Sequence, residues 1–186
     1  MAKAEYRSAI RSRRLINTAL TELLQQKPLE KITVTDVVNR AQINRGTFYA
    51  HYRDIPDLIN RMVEQMFARI REGMANMENP REAAPGLLLG QIQKQIEENM
   101  AFCKVMISRN HAMMESQLCS VLQDYLLKGY GQNEDCELKL RFCAGGLTKL
   151  YQDWLTGKIV CSMEEFNRKA ENMIRCFLPE ASPAGS

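Results

Sequence analysis

The chain has 186 residues, 45% hydrophobic and 25% charged, with a net charge of +3, which suits one medium domain or a small domain joined to a larger one. No apolar run approaches the ~20 residues that a bilayer span needs, none follows Met1 as a secretion signal would require, and two His with six Cys lacking any C-x-x-C pair are poor material for zinc. A membrane protein and a zinc module are set aside, and a cytoplasmic chain with reduced, buried thiols, no metal and no cofactor is expected.

Charge is unevenly placed. Residues 1–61 hold eleven Lys and Arg against six Asp and Glu, a net +5, while the remainder nets −2. A basic first third fits a DNA-contacting head on a body that does not touch DNA.

Helical periodicity runs throughout, and nothing alternates as a strand would. The first helix carries Ile16, Ala19, Leu20, Leu23 and Leu24 on one stripe and should end near Gln26, because Pro28 disfavours helix at the residue before it. Thr33 followed by Asp36 is a helix-start signal, with a hydroxyl for the first free amides and a carboxylate in the first turn. Val34, Val37, Val38 and Ala41 then share a face. Gln42-Ile43 breaks the pattern, and Asn44 is a good N-cap for a second helix from Arg45 to Tyr52. Ile43, Phe48 and Tyr52 are spaced as anchors, leaving Arg45, Thr47, Tyr49 and His51 on the other face. That set suits phosphate oxygens and base edges, as in a helix-turn-helix. Gly46 costs roughly 1 kcal/mol against Ala in a helix; close approach to a phosphate would offset this, and packing on the first helix is the structural alternative.

The fourth helix begins after Asp54 and carries Leu58, Ile59, Met62, Val63, Met66, Phe67, Ile70 and Met74 as one stripe. Asn79 to Gly86 is a Pro/Gly boundary. Further helices are expected from Pro85 to Glu98, Met100 to Ser108, Ala112 to Lys128 (stopped by Gly129 and Gly131), Asn133 or Glu134 to Leu155 (stopped by Gly157), and from a Ser162 cap to Phe177. The last helix carries Phe166, Ala170, Met173, Ile174 and Phe177 on its stripe.

From Leu15-Ile16 through Leu58, an apolar helix, then ITVTDVV, then NRGTFYAHY, then an Asp-Leu pair opening a long helix is similar to the N-terminal domain of TetR-type transcriptional regulators. Two departures stand out. Gln42 occupies a turn where the family often has Gly, so the turn is expected to form without the easy left-handed residue. Ile55 stands where a Lys often meets a phosphate, so that one backbone contact is either missing or supplied by Arg53. FCAGGLTKLYQDWLTGKIVCSMEEFNRKAENMI also resembles a C-terminal domain type found with such heads.

The resemblance implies an all-α fold. A three-helix helix-turn-helix DNA-binding domain would span residues 1–53, a helical effector-binding and dimerisation domain 54–180, and a disordered tail 181–186. The implied DNA contacts are Thr33, Thr35, Arg45, Gly46, Thr47, Tyr49, His51 and Arg53. Met66, Phe67, Ile70, Phe102, Met106, Met114, Tyr125 and Tyr151 are candidates for an effector cavity, although Met and aromatic residues at helical spacing more often fill a core. Gly145-Gly146 inside a helix calls for close helix approach, in the core or across a two-fold axis. The resemblance favours the axis, with Trp154, Phe166 and Met173 as interface residues and a core position as the alternative for Trp154. The implied function is a sequence-specific, ligand-responsive repressor, a homodimer on double-stranded operator DNA that takes a small apolar or amphipathic effector. A protein-interaction adaptor that keeps the fold without binding DNA is the alternative. An enzyme is not expected, because neither a Ser/His/Asp set nor a G-x-x-x-x-G-K-[ST] loop is present.

Overall fold

The computed structural model describes residues 2–75, 85–109, 111–130 and 134–177, and among them every regular element is helical. In order these are α1 (Ala2–Gln26), a 3-10 turn (Leu29–Lys31), α2 (Val34–Ala41), α3 (Arg45–Tyr49), α4 (Ile55–Ala75), α5 (Pro85–Glu98), α6 (Met100–Arg109), α7 (His111–Tyr130), α8 (Glu134–Leu155) and α9 (Met163–Phe177). Among the described residues no helix is long and apolar enough to cross a membrane. Residues 79–84 of the expected boundary and the tail 181–186 lie outside the described residues. The chain forms two compact units, Met1–Gln65 and Met66–Ser186, divided within α4.

In the first unit, Ile16, Ala19, Leu20 and Leu23 of α1 are buried, as are Val37, Val38 and Ala41 of α2. Leu24 is only half-buried, at the edge of that stripe. Phe48, Tyr52, Leu58, Ile59, Met62 and Val63 complete the core. Full burial of a Phe48-sized side chain is worth about 1.5–3 kcal/mol, which holds a helix as short as α3 in place. Tyr52 buries its ring and donates its hydroxyl to Asn17 Oδ1 at 3.1 Å, so the polar end is satisfied too.

Local signals set the helix ends. Thr33 Oγ1 accepts from Asp36 N at 3.2 Å while Thr33 N donates to Asp36 Oδ2 at 2.8 Å, a reciprocal capping box. Asn44 Oδ1 accepts from Thr47 N at 2.7 Å and so caps α3. The turn between them forms without glycine: Gln42 itself adopts the left-handed conformation, at φ 53° and ψ 46°. A non-glycine residue there costs roughly 1–2 kcal/mol, offset by packing on both sides of the turn and by Ile43 N donating to Val38 O at 3.0 Å. Regular α3 stops at Tyr49 rather than Tyr52, although Tyr52 N still donates to Phe48 O at 2.9 Å. The chain then turns to let Asp54 Oδ1 accept from Asp57 N at 2.8 Å and open α4.

In the second unit α5 packs on α9, and α8 packs on α6, α7 and α9. Met66, Phe67, Ile70 and Met74 of α4 are buried, and Arg71 is tied to α7 through Asp124 (3.2 Å) and Ser120 (2.9 Å). α7 runs through Gly129 to Tyr130, past the expected stop, and Gly131 lies outside the described residues. At the end of α8, Gly157 takes φ 79° and Lys158 N donates to Asp153 O at 2.8 Å, a Schellman-type stop. Ser162 Oγ then accepts from Glu165 N at 3.1 Å to start α9. Phe166, Ala170 and Ile174 of α9 are buried, whereas Met173 and Phe177 are exposed, because they lie off the face that meets α5 and α8. Of the cysteines whose side chains are described, only Cys103 is buried; Cys119, Cys143 and Cys161 are half-buried and Cys176 is exposed. Among the described cysteines the expectation of buried thiols therefore holds only at Cys103, where burial pushes the thiol pKa up to about 12.

Candidate functional site

The caps that define α2 and α3 also fix a polar surface. Arg45 is exposed and its Nη2 donates to Thr35 Oγ1 at 2.7 Å, joining two of the expected DNA contacts across the turn. Thr47 Oγ1 donates to Asn44 Oδ1 at 2.9 Å, so its hydrogen is committed to the cap and its lone pairs remain for a donor. Tyr49 is 56% exposed, with its ring edge-on to the buried Phe48 at 5.6 Å between centroids. A phenol held this way loses little freedom on meeting a partner. His51 is half-buried; desolvation, then the charge of Arg13, lowers its pKa, so the imidazole is neutral at pH 7. Arg13 carried no sequence signal beyond its charge.

Thr33 is engaged by the capping box rather than free to reach outward. Asp36 also receives Lys27 Nζ at 2.7 Å, and this contact, followed by the Thr33 hydroxyl and amide, lowers its pKa to about 2. The only non-neighbour atom that a Cβ at Gly46 would meet is Asn44 Oδ1, at 3.3 Å. Packing on α1 therefore does not require this glycine. Arg53 is exposed, with its guanidinium 3.6 Å from Asp57 Oδ1, while Arg61 holds the same carboxylate at 3.2 Å.

A second feature lies in the later unit. A cavity of about 40 Å³ is lined by Met66, Phe67 and Ile70 of α4, Met114 of α7 and Tyr151 of α8. These five were sequence candidates. Phe102 and Met106 are buried elsewhere in the core, and the Tyr125 side chain lies outside the described residues. Ile92, Gln95 and Ile96 of α5 complete one wall, Cys103 and Ile107 of α6 a second, Thr148 and Leu155 of α8 a third. Gln95 was legible as a polar residue interrupting the apolar face of Leu88, Leu89, Ile92 and Ile96. Met and aromatic residues drew attention away from it.

The third feature is an apolar face on α8 and α9. Leu138 is 69% and Phe142 64% exposed, two turns and one turn before an exposed Gly146 whose Cβ position meets nothing within 4 Å. Phe177 stacks near Phe142 at 5.0 Å, and Met173 of α9 is also exposed. A Cβ at Gly145 would meet Glu115 Oε1 at 3.2 Å. Trp154 is half-buried, donating Nε1 to Cys161 O at 3.0 Å and lying 6.1 Å from the Phe166 ring. Phe166 is buried within the unit against Tyr151, at 4.8 Å.

Residues 16–62 match the family model for bacterial regulatory proteins of the tetR family. The chain is 29% identical over 77 residues, 41% of its length, to the uncharacterized HTH-type transcriptional regulator YxbF of Bacillus subtilis, and this match spans 20% of that relative. Among solved structures, the dihydroxyacetone kinase operon activator DhaS superposes with a TM-score of 0.69 at 17% identity, covering 89% of this chain and 94% of its own. A TetR transcriptional regulator from Streptococcus agalactiae gives 0.64 at 22% identity, covering 94% and 99%. At these identities the structural likeness is one of fold.

Proposed function

We propose, from the TetR-family N-terminal domain that the chain carries over residues 16–62, that the protein is a sequence-specific DNA-binding regulator, a dimeric repressor released by a small effector. The observation that carries the reading is the exposed Arg45–Thr35 pair, which joins α3 to α2, together with Thr47 and the exposed Tyr49 on the cap-fixed α3 and His51 in the turn after it. In a major groove, Arg45 would leave Thr35 for the O6 and N7 of a guanine, and the Tyr49 hydroxyl would donate to a phosphate. Residues 1–53 would form the DNA-binding domain and 54–180 the effector-binding and dimerisation domain.

Dimerisation is the office of the α8–α9 face. An exposed stripe of Leu138, Phe142, Met173 and Phe177 beside the open Gly146 position is apolar surface that a second copy would remove from water. Two reading helices related by that axis would enter successive major grooves about 34 Å apart, on a near-palindromic operator. Effector control would pass through α4, whose Met66, Phe67 and Ile70 line the cavity. An effector that prefers the DNA-free arrangement by ~1–3 kcal/mol would loosen DNA roughly 5–150-fold, and operator would weaken effector binding by the same factor.

Duplex binding measured across a salt series tests the reading. Expected is saturable binding to a subset of sequences, falling steeply as salt rises while the protein remains a dimer. Salt-independent or absent DNA binding would favour the adaptor reading instead.

A further inference from the structure

We infer that the cavity takes a neutral, mainly apolar molecule bearing one hydrogen-bond donor, a hydroxyl or N–H, and that Gln95 Oε1 receives it. The inference deepens the effector reading above and rests on it for any consequence at DNA.

Gln95 sits on the buried face of α5, 4% exposed, in a place where Leu would serve packing. Its Oε1 is buried and, among the described residues, has no hydrogen-bond partner. The amide is not free to turn over. Nε2 donates to Glu98 Oε2 at 3.4 Å, and that carboxylate is held by Arg69 Nη1 at 3.5 Å. Reversal would set Oε1 against a carboxylate. Gln95 therefore lines the cavity as a residue whose carbonyl is fixed in orientation and, among the described residues, keeps a lone pair unmet.

Neighbouring donors do not relieve it, because each is engaged. The Thr148 hydroxyl donates to Ala144 O at 2.8 Å, the Tyr151 hydroxyl to Asn167 Oδ1 at 3.3 Å, and the Cys103 thiol faces Met66 Sδ at 3.8 Å. A buried acceptor without a partner destabilises the empty protein, so its presence is better explained by what arrives than by folding. Apart from the engaged Thr148 and Tyr151 hydroxyls, the rest of the wall is carbon, sulfur and aromatic ring, with no charged side chain. A charged ligand would lose hydration without compensation there, whereas a neutral donor gains the Gln95 bond and buries its apolar body. Met66 and Met114 are unbranched and deformable, so the walls adapt to a body larger than the open space.

The test uses the full chain and three probes of nearly one shape: phenol, which donates; anisole, which only accepts; and toluene, which does neither. Calorimetry should show phenol bound about tenfold more tightly than either of the others. Gln95→Met keeps volume and removes the acceptor. It should abolish the phenol preference and raise the unfolding temperature of the ligand-free protein, an outcome that a purely structural role for the amide would reverse. Equal binding of the three probes by the wild type, as a resident water on Oε1 would produce, overturns the inference. So does failure of all three to bind at their solubility limits, a phenol preference that survives in Gln95→Met, or a lower unfolding temperature for that variant. Operator binding measured alongside separates the two readings: a phenol preference with no effect on DNA sinks the effector reading alone, while release of DNA without donor preference sinks only the assignment of Gln95.

Discussion

The two units handle polar groups in opposite ways. In the first, Thr33, Asn44, Thr47 and Arg45 are all hydrogen-bonded at the surface, and each bond either ends a helix or aims a side chain outward. In the second, Gln95 is enclosed among apolar residues and keeps one oxygen unpaired. Surface polarity that is paired but exchangeable suits a partner that brings its own phosphates and base edges. Buried polarity that is unpaired suits a partner that must shed its water to enter.

The sharpest way to break that division is through the face that would bring two reading surfaces together. A Cβ at Gly146 meets nothing within 4 Å among the described residues beyond its own helical turn, and Leu improves helix propensity, so the Gly146→Leu monomer should fold at least as well. If the α8–α9 face is the dimer interface, sedimentation should show monomers and operator affinity should fall by roughly 10²–10⁴-fold through lost avidity. A Gly146→Leu dimer with unchanged affinity would remove that face from the account. Phe48→Ala deletes a fully buried ring from the first unit and should cost about 3–5 kcal/mol of its stability in urea unfolding. Ligand binding in the second unit should survive this change if the units are as separate as their cores indicate.

Smaller changes sharpen the comparison within the first unit. Tyr49→Phe, at unchanged unfolding midpoint, should weaken operator binding by about 0.5–1.5 kcal/mol, the worth of one hydrogen bond. Asn44→Ala removes the α3 cap and should cost about 0.5–2 kcal/mol of stability in the same urea assay. The smallest effect concerns acid. The Asp36 pKa is depressed from 3.8 to about 2, so its contribution is fully present above 3.8 and is lost as pH falls through about 2. Lys27→Met removes the largest cause and should move the Asp36 titration, followed by carbon-detected NMR, toward its ordinary value.

The features legible in the sequence were those set by neighbours along the chain. Thr33 with Asp36, Asn44 before Thr47, and Gly157 after Leu155 announce helix ends because the cap and the capped amide or carbonyl lie within a few residues. Gln42 was not legible as left-handed, since its strain is offset by packing on both sides of the turn. Nor was the division of the α9 stripe, where periodicity marks Met173 and Ile174 alike and only the position of α5 and α8 separates the exposed from the buried. Met114 and Tyr151 were anticipated from softness and aromaticity, and Met66, Phe67 and Ile70 from the apolar stripe of α4. Gln95 was missed because the same rule looks for apolar character, whereas its signal is polarity in an apolar stripe.

The central claim is that the α3 surface reads DNA sequence, and selection from a random duplex pool by wild-type and Arg45→Ala protein tests it most directly. The account predicts a near-palindromic sequence for the wild type. For the equally folded variant it predicts relaxed preference at one base pair per half-site, with about 1–3 kcal/mol lost there. Failure of the wild type to enrich any sequence, or enrichment of the same sequence with the same stringency by Arg45→Ala, would contradict it.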